Sequence, residues 1–181
     1  MHHASESDGL VTRPKRGHYL TLAESDGQGR VNQVTLDDIS KRLIELLQQD
    51  GRSSYASLAK YVGLSEAAVR QRVQRLVETG VMQIVAVTDP LSVGFSRQAM
   101  VGIKATGDLR AIADEISSLR EADYVVICAG SYDILTELVC EDDAHLFRLI
   151  NDEIRAIDGV TATEAFLYLK LSKQTYTWGT R

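Results

Sequence analysis

The hydrophobic pattern of the chain changes its period near Gly80, and this change constrains the fold more than any other feature. Before Gly80, apolar residues recur at helical spacing in three segments separated by short turns; after it, most apolar runs alternate with the period of two that is typical of strands. A length of 181 residues is enough for two small domains. The pattern therefore predicts a helical N-terminal domain followed by a domain that contains a sheet.

Three short helices are predicted before that boundary. Thr35 or Asp37 can cap the first helix, Ser54 the second and Ser65 the third, because their side-chain oxygens can accept from free amides in the first helical turn. Only Gly63-Leu64 separates the second helix from the cap of the third. The last two helices are therefore predicted to form a helix-turn-helix.

The second half of the chain reads strand, helix, strand, strand, helix, strand. This βαββαβ order predicts an α+β, ferredoxin-like sandwich in which both helices cover one face of an antiparallel sheet. The predicted strands Tyr124 to Ala129 and Val160 to Leu171 are apolar on both sides. Since the two helices cover only one face, a second copy is expected to cover the other, and we predict a homodimer built through this sheet.

The same patterns predict four segments. Residues 1–34 are expected to be a flexible tail, 35–80 a helix-turn-helix domain, 81–96 a wing or linker strand with a hinge, and 97–181 the second domain. The linker strand is predicted from Val81 to Thr88. The tail contains the basic stretch Arg13 to Arg16, which leaves two interpretations open: contact with a polyanion, or a solvated arm.

The net charge of −5 argues against nucleic-acid binding only if it is spread evenly along the chain. It is not, because the interval from Arg52 to Arg75 holds five basic residues and only one acidic residue, Glu66, a net charge of +4. From Leu91 onward, the chain has nine basic and fourteen acidic residues, a net charge of −5. This segregation favours a phosphate-binding helical module joined to an acidic domain.

The outward positions of the third helix carry side chains that suit base recognition in the major groove. Arginine can pair with guanine, glutamine with adenine, glutamate with the cytosine amino group and alanine with the thymine methyl group. The candidates for base contact are Glu66, Ala67, Arg70, Gln71 and Gln74. The candidates for phosphate contact are Ser65 with its free helix-start amides, Arg72, Arg75 and Arg52. The alternative is that these residues only solvate a helix face.

Several sequence motifs resemble those of the Lrp/AsnC (feast/famine) regulators. The matching motifs are Leu36-Asp37-Asp38-Ile39, Asp50-Gly51-Arg52, Val62-Gly63-Leu64-Ser65, Val69 to Leu76, Gly80-Val81, Asp89-Pro90 and the Gly130-Ser131-Tyr132-Asp133 turn. The resemblance implies a bacterial or archaeal transcriptional regulator with a winged helix-turn-helix domain and a C-terminal RAM domain. It also implies that RAM dimers assemble further into tetramers, octamers or sixteen-mers, with an amino-acid effector between dimers.

The Gly-x-Tyr-Asp turn is the first candidate for the effector site. Gly130 permits close approach to the backbone, and Asp133 can pair with an α-ammonium group. The other candidates are Ser131 and Tyr132 in the turn and Thr136, Glu137, Thr161 and Thr163 on neighbouring strands. The alternative for the turn residues is a purely structural role, in which Asp133 bonds backbone amides.

No motif for catalysis, a metal or a cofactor is found in the sequence, so we predict a protein without enzymatic activity. Cys128 and Cys140 are expected to be buried free thiols. Since neither an export signal nor a membrane span is predicted, the expected location is the cytoplasm, in association with the nucleoid. The alternative function is an ACT-like small-molecule sensor whose helical region docks a protein and binds no DNA.

Overall fold

The predicted capping signals start all three N-terminal helices in the computed structural model, which describes residues 35–180. These helices are α1 (Asp38–Gln49), α2 (Tyr55–Val62) and α3 (Glu66–Glu78). The capping side chains of Asp37, Ser54 and Ser65 each accept a hydrogen bond from the amide three residues later. Gly63 ends α2 in the left-handed region, with a φ of 69°. A residue with a side chain is strained in that conformation, so glycine makes the tight turn into α3.

The apolar stripes of the three helices meet in one core. Leu43 of α1, Leu58 of α2, and Val69 and Val73 of α3 are buried almost completely, and Met82 closes the cluster after α3. The residues that predicted helical periodicity are thus the residues that hold the helices together.

Residues 82–89 differ from the sequence prediction, because they form no regular secondary structure where a strand was predicted over Val81 to Thr88. Ile84, Val85 and Val87 are exposed. A strand needs a neighbour that pairs with its backbone amides and carbonyls, and alternation of side chains alone does not supply one. The linker ends at Asp89, whose carboxylate accepts from Leu91 N and caps the 3₁₀ helix Pro90–Val93.

The second half forms one four-stranded antiparallel sheet. Its strands are β1 (Arg97–Ala105), β2 (Ala122–Ile127), β3 (Ile134–Cys140) and β4 (Val160–Leu167), in the spatial order β2-β3-β1-β4. Its helices are α4 (Leu109–Ser117) and α5 (Asp143–Arg148), and a π-helical segment, Leu149–Ile154, continues α5. The α+β class and the βαββαβ order are those predicted from the sequence.

Both helices pack on one face of the sheet, as predicted. Ile112 and Ile116 of α4, and Leu149 and Ile154 after α5, meet the buried side chains of β1 and β3. Asp142 caps α5 by accepting from His145 N, and the neighbouring Asp143 pairs with Arg97 at the start of β1. Asp142 and Asp143 therefore both have a structural role.

One strand is shorter than the sequence predicted, and another begins and ends two residues earlier at unchanged length. β4 ends at Leu167 rather than Leu171. Its antiparallel neighbour β1 begins at Arg97, so the backbone after Leu167 soon runs past the start of β1; the last hydrogen bond there joins Tyr168 N to Gln98 O. β2 ends at Ile127 rather than Ala129, where the chain turns into the loop before β3. Cys140 is buried and Cys128 half-buried, and both are free thiols, so the prediction of burial is confirmed fully only for Cys140.

The chain divides into two units, and the division differs from the predicted boundaries. Within the described residues, 35–86 and 175–180 form one unit and 87–174 the other. Residues 175–180, which were predicted to belong to the second domain, belong to the helical unit instead. The predicted tail and its basic stretch lie outside the described residues. From Thr35 to Thr180, no helix combines the length and apolarity needed to cross a bilayer.

Candidate nucleic-acid interface and sheet face

The predicted base-reading residues form one exposed surface on α3. Glu66, Ala67, Arg70, Gln71 and Gln74 are all exposed, while Val69, Val73 and Leu76 face the core. We call these five exposed positions the recognition surface. Ser65, which caps α3, lies at its N-terminal end, and the exposed Arg75 lies toward its C-terminal end.

Two neighbours position the guanidinium of Arg70 on the recognition surface. Its Nη2 atom lies 3.2 Å from Glu66 Oε1 one turn earlier, and its central carbon lies 5.0 Å from the ring centroid of Tyr55 on α2. An exposed ion pair contributes little stability, but the two contacts together restrict where the side chain points. Tyr55 is not among the residues that the sequence predicted for DNA binding, because spacing within one helix does not reveal a contact with another.

Arg72 has a role that the prediction of a phosphate contact did not include. Its Nη1 atom lies 2.6 Å from Asp37 Oδ2 and donates to Ser40 Oγ at 3.3 Å. These contacts tie α3 to the first turn of α1. They also place a carboxylate from outside the basic interval against one of its five cations, so the charge that remains free for DNA is smaller than the sequence count.

The other candidate DNA contacts are distributed more widely. Gln74 Nε2 donates to Glu78 Oε1 at 2.8 Å, so this amide is engaged along α3. Arg52 lies in the turn before α2, where its backbone amide donates to Asp50 Oδ1, and its side chain is exposed. The candidates therefore comprise one continuous surface on α3 and a separate cation before α2.

The Asp37 carboxylate is expected to make the stability of the helical unit depend on pH in the acid range. Hydrogen bonds from Ser40, followed by the contact with Arg72, lower its pKa from 3.8 to about 2. Because the folded state favours the ionised form, its contribution to stability is complete above about pH 4 and disappears as the pH falls toward 2. We expect Asp37→Asn to lower the unfolding temperature at pH 6 and to have progressively less effect toward pH 2.

Thermal unfolding of both proteins between pH 2 and 6 measures this difference. Asp38→Asn, which changes the neighbouring exposed carboxylate of the same helix, is the matched control and should change the unfolding temperature little. A destabilisation by Asp37→Asn that is the same at every pH would show that the charge is not responsible.

The sheet face opposite α4 and α5 is partly apolar and only partly covered within this chain. We call it the open face and define it by Met100 and Gly102 of β1, Val126 of β2, Leu135, Glu137 and Val139 of β3, and Phe166 of β4. The strand register places these residues side by side, with Met100 opposite Glu137 and Phe166, and Gly102 opposite Leu135. This is the face for which the sequence predicted a second copy.

Tyr132 covers part of the open face. A Cβ atom added at Gly102 would lie 2.7 Å from Cγ of the Tyr132 ring, so the ring lies directly over the glycine backbone. The same ring makes an edge contact with Phe166, with the centroids 6.1 Å apart. Because Gly102 has no side chain, it leaves the space on the sheet that the Tyr132 ring occupies.

Glu137 is a carboxylate within this largely apolar surface. Gln98 Nε2 donates to its Oε1 atom, and burial, together with the nearby Glu137, raises the pKa of the Tyr168 hydroxyl. Of the predicted effector residues, Glu137 and Tyr132 are therefore the two associated with the open face.

The remaining effector candidates do not form one site, although Thr161 and Thr163 line one pocket together with Arg155. Asp133 Oδ2 accepts from Ala105 N at 2.9 Å, which supports the structural role of the turn, while Gly130 and Ser131 are exposed. Thr161 Oγ1 donates to Lys104 O. Thr163 Oγ1 accepts from Arg155 Nε at 2.7 Å. These contacts occupy polar atoms that had been considered for an effector.

Thr136 faces away from the open face, because neighbouring strand residues point to opposite sides. It is fully buried in the sheet, and within the described residues its Oγ1 atom has no hydrogen-bond partner. A buried hydroxyl without a partner carries a desolvation penalty. We therefore expect Thr136→Val, which keeps the shape of the side chain, to stabilise the protein by about 1 kcal/mol.

Urea unfolding of Thr136→Val against the unchanged protein measures this effect. Thr163→Val is the matched control, because it removes a hydroxyl that does have a partner and should not stabilise. A Thr136→Val protein that is clearly less stable would show that the hydroxyl is bonded after all.

Two family models match the chain, one in each half. An AsnC-type helix-turn-helix domain matches residues 36–77, and a C-terminal dimeric alpha+beta barrel domain matches residues 95–181. The first match contains all of the recognition surface, and the second contains the open face.

Similar proteins cover most of the chain. An uncharacterised HTH-type transcriptional regulator of Pyrococcus abyssi is 32% identical, over 81% of this chain and 91% of that protein. The HTH-type transcriptional regulator FL11 of Pyrococcus furiosus is also 32% identical, over 77% and 93%. Among solved structures, the leucine response regulatory protein LrpA of Mycobacterium tuberculosis is 28% identical, with a TM-score of 0.71 over 77% of this chain and 96% of that one.

Proposed function

Since the chain belongs to the Lrp/AsnC family of transcriptional regulators, we propose that it binds operator DNA through α3 and responds to an amino acid or a related small metabolite. The single observation that carries the DNA-binding part is the recognition surface. It presents arginine, glutamine and glutamate side chains at the first two turns of a helix that begins at a capped, glycine-formed turn.

The proposed assembly is a homodimer through the open face, which associates further into tetramers or octamers. The support is a partly apolar sheet surface that this chain covers only in part, together with the match to a family model whose description is dimeric. Two helical units in one dimer would engage half-sites roughly 34 Å apart. The proposed location is the cytoplasm, in association with the nucleoid.

The proposed effector binds between copies of the second unit rather than within one chain. Glu137 and Tyr132 on the open face are the residues that we place nearest to it. The related leucine response regulatory protein supports an amino acid as the class of ligand. Such a ligand changes DNA binding only if it has different affinities for two assembly states. No enzymatic activity is proposed.

A salt titration tests the DNA-binding proposal. Filter binding or anisotropy with a duplex enriched from a randomised library should show an affinity that falls by orders of magnitude between about 50 and 200 mM salt, because phosphate contacts release counterions. An Arg110→Ala variant, which removes an exposed cation from α4, should show nearly the same salt slope. No salt-dependent affinity for any duplex would favour the protein-docking alternative.

A panel of free amino acids tests the effector proposal. Analytical ultracentrifugation of the full chain with each amino acid should show a change in assembly for one chemical class of side chain. Tyr132→Ala should abolish that change and leave half-site binding intact. If no amino acid alters the assembly or the unfolding temperature, the effector proposal is wrong, while the DNA-binding proposal stands independently.

A further inference from the structure

The C-terminal residues 175–180 contact α1 through two hydrogen bonds. Gly179 N donates to Gln48 Oε1 at 3.2 Å, and Thr180 Oγ1 donates to Glu45 Oε1 at 2.8 Å. The partners are more than 130 residues apart in the sequence. We call residues 175–180 the C-terminal strap.

Glu45 is shared between the strap and α1 itself. Its Oε2 atom lies 3.2 Å from Arg42 Nη1, while its Oε1 atom accepts from Thr180. The bond from Thr180, followed by that from Arg42, lowers the pKa of the Glu45 carboxyl below its usual value. The carboxylate thus stays ionised at neutral pH and accepts a charge-assisted hydrogen bond from the strap.

The strap has the local geometry needed to reach both acceptors. Gly179 has a φ of +71°, a left-handed conformation that glycine adopts without strain and most residues do not. The rings of Tyr176 and Trp178 make an edge contact within the strap, with centroids 6.4 Å apart. A left-handed backbone at Gly179 and an edge contact between two rings thus accompany the approach of Gly179 and Thr180 to α1.

The strap approaches the side of α1 that faces away from the core of the helical unit. Leu43, Ile44 and Leu47 form the buried side of α1, and Glu45 lies on the opposite side of the helix. The hydrogen bonds of the strap thus lie apart from the recognition surface of α3, whose side chains remain exposed. The strap leaves the base-reading residues available to DNA.

These contacts give the helical unit two connections to the rest of the chain. One crossing is the linker after Ala86, and the other lies between Gln174 and Thr175, where the strap begins. A unit held at a single flexible linker can rotate about it, whereas a unit held at two points has fewer orientations.

We propose that the C-terminal strap is a positioning element that limits the orientations of the helical unit and thereby sets the half-site spacing that a dimer accepts. Its positioning residues are Thr180 and Gly179 on the strap and Glu45 and Gln48 on α1. This inference rests on the proposed function, because spacing matters only to a protein that engages two half-sites. The anchoring itself can be measured without DNA.

Trp178 is the only tryptophan of the chain and reports the anchoring directly. Time-resolved fluorescence anisotropy of the full chain should show slow motion of Trp178 in the unchanged protein and faster local motion in Thr180→Val and Glu45→Ala. Thr177→Val, the same chemical change at an exposed strap position, is the matched control and should leave the anisotropy unchanged. A mobile Trp178 in the unchanged protein would overturn the inference, whatever the outcome with DNA.

Operator duplexes with varied half-site spacing test whether the strap sets the spacing that a dimer accepts. Two copies of the half-site enriched by the full-length protein are placed at successive separations. The unchanged protein should prefer the best spacing over one shifted by half a helical turn by about a hundredfold. Ending the chain after Gln174 should reduce that preference about tenfold and change affinity for a single half-site less than about twofold.

Thr180→Val and Glu45→Ala should also reduce the preference for the best half-site spacing. These two point variants test the inference even if the truncated chain fails to fold. Retention of the full preference by both point variants would overturn the inference. If the unchanged protein binds no duplex at any spacing, the proposed function has failed. The Trp178 measurement then decides whether the strap is anchored, so the two failures remain distinct.

Discussion

Replacing Arg70 and Gln71 with alanine is expected to abolish sequence-specific DNA binding while leaving non-specific binding measurable. Each bidentate base contact contributes about 1–3 kcal/mol of discrimination, which is roughly fivefold to 150-fold. A dimer presents both side chains twice, so the loss of specificity should exceed about a thousandfold. Competition binding of the selected duplex against a scrambled duplex measures the specificity ratio.

Arg70→Lys is the sharper variant, because it keeps the charge and removes the planar fork that pairs with guanine. We expect it to lose specificity at one base position while the salt slope stays unchanged. Tyr55→Leu should have a smaller effect in the same direction, since it removes the ring that positions the guanidinium. Both variants should unfold near the temperature of the unchanged protein. Unaltered base preference in Arg70→Lys would show that Arg70 does not read a base.

Local sequence signals predicted the helical unit well because each depends on neighbours within one turn. Asp37, Ser54 and Ser65 cap their helices through bonds spanning three residues, and Gly63 meets a backbone requirement at one position. The contacts that no local signal revealed join residues far apart in sequence. Those between Arg72 and Asp37, Arg70 and Tyr55, and the strap and α1 depend on how the elements pack.

The sequence predicted that one face of the sheet is uncovered, but it did not show which of the effector candidates lie on that face. Alternation of apolar residues on both sides of the strands indicated an uncovered face, and the sheet confirms where it lies. The same alternation should have separated Thr136 from Glu137, because adjacent strand residues point to opposite sides. The linker shows the opposite error, since alternation from Val81 to Thr88 predicts a strand although the sequence predicts no neighbouring strand for it.

Gly102→Ala is expected to disrupt the open face more than any other single methyl group added to the sheet. The new Cβ atom would lie 2.7 to 2.8 Å from three ring atoms of Tyr132, closer than real contacts allow. The atoms in contact include the attachment point of the ring, so a rotation of the ring about its own axis does not relieve the clash. The ring must leave its place over β1 and with it the contact with Phe166. We expect a loss of about 1–3 kcal/mol in stability.

The assembly should change along with the stability, because the displaced ring alters the surface through which a second copy is proposed to pack. Sedimentation of Gly102→Ala should show dissociation toward monomers at concentrations at which the unchanged protein is assembled. Gly130→Ala is the matched control, since no atom lies within 4 Å of a Cβ there and the backbone has no positive φ, so both stability and assembly should be retained.

Combining Gly102→Ala with Tyr132→Ala tests whether the clash with the ring causes the loss of stability. If the clash with Tyr132 is responsible, Gly102→Ala should cost much less stability in a Tyr132→Ala background, where no ring occupies the space, and the two substitutions should be strongly non-additive. Additive effects would show that the glycine is needed for the β1 backbone rather than for the ring. Recovery of stability without recovery of the dimer is the informative outcome, because it assigns to the Tyr132 ring a direct place in the contact between copies.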